Sequence, residues 1–161
     1  MHKPLRTWVV TADGARAQLY FYDLVTDSLH AAALPGLPPP EERLQSHTEK
    51  SDHPGRSFGS SGEGVRHALE SHSDYRKLEK HKFTVAVADA LDRAALANEF
   101  DRLILIAPSR SIGEFRKYLR DDVQSRMDFV PKDLTKAPVA RIWDEVAKLV
   151  HLKAAARIHP E

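Results

Sequence analysis

The chain has 161 residues, 42% of them hydrophobic and 29% charged, which is the profile of one globular domain with a sizeable core. Its formal net charge of +1 supplies no global field toward nucleic acid or a membrane, so any such binding must come from a local patch. It has no cysteine, which excludes disulfides, thiolate chemistry and cysteine-ligated metals.

The first residues, "MHKPLRTWVVTADG", reach Asp13 without a long apolar run and read as neither a signal peptide nor an anchor. No stretch approaches the length of a membrane-spanning helix, so a cytoplasmic protein is expected. "TWVVTA" (7–12) and "RAQLYFYD" (16–23) are rich in β-branched and aromatic residues. They flank Asp13-Gly14, a dipeptide suited to the positive φ angles of a tight hairpin turn. In the second run Ala17, Leu19 and Phe21 share one face, and Gln18, Tyr20 and Tyr22 share the other. "SLHAAAL" (28–34) supplies a third strand and completes an antiparallel meander.

Residues 35–73 show no sustained periodicity, and a connection of that length is either functional or disordered. Its first part, "PGLPPPEERL", is stiffened by proline. The next part, "SDHPGRSFGSSGEGVRHA", holds four of the seven glycines, at positions 55, 59, 62 and 64.

Beyond it Ser73 or Asp74 can cap a helix on which Phe83, Val87, Ala90, Leu91 and Ala94 form one apolar face. The first turns of that helix are cationic, with Arg76, Lys77, Lys80, His81 and Lys82. "DRLILIAP" (101–108) has the continuous apolar run of a strand buried on both faces. Ser111 and Glu114 suggest a capping box, and Ile112, Phe115, Leu119 and Val123 a buried stripe behind it. "DFV" (128–130) suits a short strand, and Pro138 starts a helix with Val139, Ile142, Trp143, Val146 and Val150 at helical spacing.

The order β-β-β, long loop, α-β-α-β-α predicts a single α/β domain over 1–161. Its expected fold is an RNase H-like mixed sheet, an antiparallel meander plus a buried parallel strand, covered by helices. The glycine-rich loop 35–73 lies within that domain.

Gly59, Gly62 and Gly64 spell G-x-x-G-x-G, which is neither the dinucleotide fingerprint nor the P-loop. His67 and His72 are five apart, a spacing that does not align two ligands on a helix, so no metal site is expected. Asp13 and Asp101 would be the carboxylates of a metal-dependent nuclease or hydrolase, the weakest of the readings. A turn explains Asp13 and a strand entrance explains Asp101 without any metal. No cofactor is expected.

The stretches "WVVTADGARAQLYFYD", "SDHPGRSFGSSGEGVRHALE", "FDRLILIAPSRSIGEFRKYL" and "VPKDLTKAP", in this order, resemble a bacterial family named as proteins required for attachment to host cells. That family is similar, more remotely, to the middle domain of archaeal and eukaryotic class-1 release factors and of Pelota. The resemblance implies an RNase H-like fold whose long loop approaches the ribosome. The release-factor loop carries Gly-Gly-Gln, whereas this chain has Gly62-Glu63-Gly64, which argues against peptide-release catalysis.

Residues 43–82 hold eight of the 24 basic residues and five of the nine histidines. Composition alone reads this stretch as a solvated connector; the resemblance turns it into a mobile RNA-binding arm. Arg56, Arg66, His67, Arg76, Lys77 and Lys80 would contact phosphates, and Phe58 would stack on a base. Gly59, Gly62, Glu63 and Gly64 would form the loop tip. The expected function is therefore a non-catalytic RNA- or ribosome-associated domain. The alternative is a protein-interaction module acting indirectly in host attachment, with an unidentified protein partner.

Overall fold

The computed structural model describes the backbone of residues 3–37 and 64–158, and the side chains of residues 3–37 and 72–152. Five strands form one mixed sheet in the order β3-β2-β1-β4-β5. β1 (Thr7–Ala12), β2 (Ala17–Asp23) and β3 (Ser28–Ala32) form the expected antiparallel meander. β1 also pairs in parallel with β4 (Arg102–Ala107), with Val9 opposite Ile104 and Val10 opposite Leu105. β5 (Met127–Pro131) extends the parallel half beyond β4.

Every residue of β1 and β4 is buried, because both strands sit mid-sheet with helices on both faces. Trp8, Val10, Leu19, Leu103 and Leu105 point to one face and pack against α1 (Gly64–Leu96), α2 (Ser109–Tyr118) and α3 (Asp121–Gln124). Val9, Tyr20, Ile104 and Ile106 point to the other face, where α4 (Val139–Ile158) lays Ile142 and Val146 against them. The alternation in β2 follows the sequence reading, with Leu19 in the first cluster and Tyr20 in the second.

Four local expectations are corrected. α1 begins at Gly64, not at Ser73 or Asp74, so the connection ends well before residue 73 and Gly64 opens a helix instead of sitting at a loop tip. The described side chains from His72 to Lys82 are exposed apart from half-buried Glu79, so this part of the helix runs clear of the core. The earlier start escapes the sequence reading because the glycine-rich run through Gly64 reads as loop and Ser73 and Asp74 offer caps further on.

The β1–β2 turn contains no positive φ at Asp13 or Gly14. Asp13 shapes it instead, its Oδ1 accepting the backbone N–H groups of Ala15 and Arg16 at 2.7 Å each. α2 has Pro108 at its N-cap and no side-chain cap, so Ser111 lies inside the helix and Glu114 bonds Lys117 at 2.9 Å. Finally, Leu119 is extended and ends α2, while Val123 belongs to α3; both are buried as the apolar spacing required.

Candidate functional site

Where β1 and β4 end, the chain leaves in opposite directions. After β1 it turns back through Asp13 and Gly14 into β2, and after β4 it enters α2 through Pro108. The carboxyl ends of parallel strands that part in this way leave a crevice, the general location of ligand sites in open α/β sheets. A cleft of about 840 Å³ lies there, between the exposed half of α1 and the start of α2.

From α1 the cleft receives Arg76, Lys77 and Lys80, flanked by His72 and His81. From α2 it receives Arg110, Ser111 and Glu114, and Gly14 of the β1–β2 turn closes one wall. Thr84 is the buried member, its hydroxyl donating to the Lys80 carbonyl at 2.9 Å.

The three α1 cations are placed by helical geometry. Positions 76 and 80 stand one turn apart on the same face, with 77 beside them. Among the described residues no carboxylate pairs with Arg76, Lys77, Lys80 or Arg110. Lys82 and Arg93 on the same helix do have partners, at 3.8 Å to Glu79 and 2.9 Å to Asp89. Lys117 holds Glu114, the cleft's acid, below the usual carboxylate range, first by its hydrogen bond and then by its charge, with His81 and Arg110 adding to the pull. Glu114 therefore stays ionised and is paired with Lys117, and among the described residues the positive charge of the cleft is left uncompensated. The uncapped start of α2 adds the partial positive charge of its free N–H groups.

Of the residues predicted to bind RNA, the structure brings Arg76, Lys77 and Lys80 together in this cleft. Arg66 and His67 fall in the first turns of α1, and their side chains lie outside the described residues. Arg56, Phe58, Gly59, Gly62 and Glu63 also lie outside the described residues. Sequence reasoning missed Arg110 and the role of Gly14. The available signal was position: each follows the carboxyl end of a central strand.

Asp13 and Asp101 do not meet. Asp13 follows β1, whereas Asp101 precedes β4 and takes a bidentate pair from Arg6, just before β1. The six residues of β1 separate the two ends, about 20 Å at ~3.3 Å per residue. Asp13 Oδ2 is further bonded by the Thr135 hydroxyl at 3.0 Å, which ties the hairpin turn to the segment before α4. Thr135 Oγ1 also lies 2.9 Å from Asp133 Oδ1, so the two carboxylates share its single hydroxyl proton, and Asp133 Oδ1 accepts the Thr135 backbone N–H at 3.4 Å. Among the described residues no group of three or more His, Asp or Glu side chains could hold a metal ion. No helix among them is long and apolar enough to cross a membrane.

A search of curated proteins found no match to this chain. A family model described as "Protein required for attachment to host cells" matches residues 8–146, from β1 into α4, and this span contains every residue that lines the cleft. The chain belongs to the family of proteins required for attachment to host cells.

Proposed function

We propose that this protein is a non-catalytic RNA- or ribosome-associated domain that holds a phosphate backbone in the cleft between α1 and α2. One observation carries the reading: Arg76, Lys77, Lys80 and Arg110 converge on one concavity whose acid is already neutralised by Lys117. Four cations that no described carboxylate pairs with repel one another in a cleft, a cost that a polyanion removes on binding. Sequence-independent attraction of this kind supplies essentially all of non-specific nucleic-acid binding and makes it steeply salt-dependent. The resemblance to release-factor middle domains supports the same direction without Gly-Gly-Gln chemistry.

Capture of the full chain with its partners from lysate, with and without nuclease treatment, tests the reading. Co-purification of RNA that nuclease and added salt both abolish is the expected result. A partner retained after nuclease and high salt would instead favour a protein-interaction module, since apolar anchors are far less sensitive to salt.

A further inference from the structure

Resting on that reading, we infer that the cleft takes a single-stranded segment of nucleic acid and seats one of its bases against the Tyr118–His81 pair. Tyr118 lies one turn beyond Glu114 on α2, so it continues the helix face that lines the cleft. Its ring meets the His81 ring edge-on, with centroids 5.2 Å apart and planes at 77°, and its hydroxyl lies 3.2 Å from His81 Nδ1. An edge-to-face contact covers only one face of one ring. Tyr118 keeps 36% of its surface exposed, and His81 is exposed as well as lining the cleft. An aromatic surface is therefore held in place beside unpaired cations.

This pairing of groups is what single strands require. Unstacked bases present a π face that Tyr or His can cover, and the backbone beside it presents phosphates to Arg and Lys. A duplex presents phosphates but no open base face. Its bases are already stacked, so their π faces are closed to an aromatic side chain. The cations lie inside a cleft, not along a ridge that a duplex could straddle.

The test uses the full chain and three probes of one length: a labelled single-stranded RNA, the same RNA annealed to its complement, and an abasic strand that keeps the phosphates. The single strand should bind at least about ten-fold more tightly than either of the others, the scale of one base–aromatic stack. Tyr118→Leu, which keeps an apolar side chain without a π face, should lose about ten-fold for the single strand and nothing for the abasic strand. Its salt slope should match the parent's, because the phosphate contacts remain, and Tyr118→Phe should bind as the parent does. Equal binding of all three probes, or parental affinity in Tyr118→Leu, overturns this inference and leaves the phosphate-binding reading intact. Failure of every probe to bind overturns both.

Discussion

Lys80 lies across Gly14. A Cβ built on Gly14 would stand 2.9 Å from Lys80 Cγ and 3.0 Å from Cδ, so any side chain at residue 14 would force Lys80 to shift. The backbone at Gly14 is open to any residue, since its φ is not positive. The glycine therefore leaves room for the Lys80 stem beside the cleft wall.

Gly14→Ala should accordingly fold and displace Lys80 from its present rotamer. We expect RNA affinity to fall several-fold, with a loss of about one rotamer's strain, roughly 0.5–1.5 kcal/mol, in stability. Gly14→Ala combined with Lys80→Ala should recover the stability and not the affinity. Thermal melts and binding titrations of the two variants decide this.

The sheet and its covering helices were legible because their signals are local and apolar. Leu103 to Ile106 read as a doubly buried strand, and every one of those side chains is fully buried. The start of α1 was illegible because the glycine-rich run through Gly64 reads as loop, and Ser73 and Asp74 offer helix caps further on. Half of the cleft was visible in the sequence as the cationic run at 76–80. Arg110 was not, because only the parallel pairing of β1 with β4 brings the end of β4 beside the end of β1.

Truncation at the centre of the sheet should be costly. Leu105 faces the α1 side with no exposed surface, and Leu105→Ala should destabilise the domain by about 2–5 kcal/mol through lost burial and the cavity left behind. Urea unfolding gives the value, and an unchanged slope would show that the unfolded state is unaffected.

Stability should decline in acid through Asp101 and Glu145. The Arg6 hydrogen bonds hold Asp101 below the ordinary carboxylate range, and the Lys132 hydrogen bond does the same for Glu145. For a depressed carboxylate the unfolded chain binds protons first, so the stabilisation is complete above roughly pH 4–5 and is lost as pH falls through the folded value. Asp101→Asn should be less stable than the parent at pH 7 and should show a shallower acid decline in melting temperature.

Asp92 should show the reverse dependence. Burial raises its pKa, against the weaker opposing effect of the Arg120 N–H that it accepts at 3.2 Å. A raised carboxylate favours the fold when protonated, and that benefit is lost as pH rises through the folded value. Asp92→Asn keeps an acceptor for Arg120 and removes the buried charge. It should therefore melt at or above the parent at pH 7, and this difference should shrink below about pH 4.

The central claim is that a cation cluster in one cleft binds phosphates, and salt dependence tests it most directly. RNA binding by the parent, by the Arg76→Ala, Lys77→Ala, Lys80→Ala triple variant and by Arg93→Ala should be titrated across a range of salt concentrations. Arg93 is the control, a cation of the same helix already paired with Asp89 outside the cleft. The triple variant should bind more weakly to every RNA sequence, with a slope of log affinity against log salt smaller by about two, at ~0.7 per phosphate contact on a single strand. Its melting temperature should be nearly that of the parent because all three side chains are exposed, and Arg93→Ala should bind as the parent does. A triple variant with the parent's affinity and slope, or a loss in Arg93→Ala as large as in the triple variant, would contradict the account.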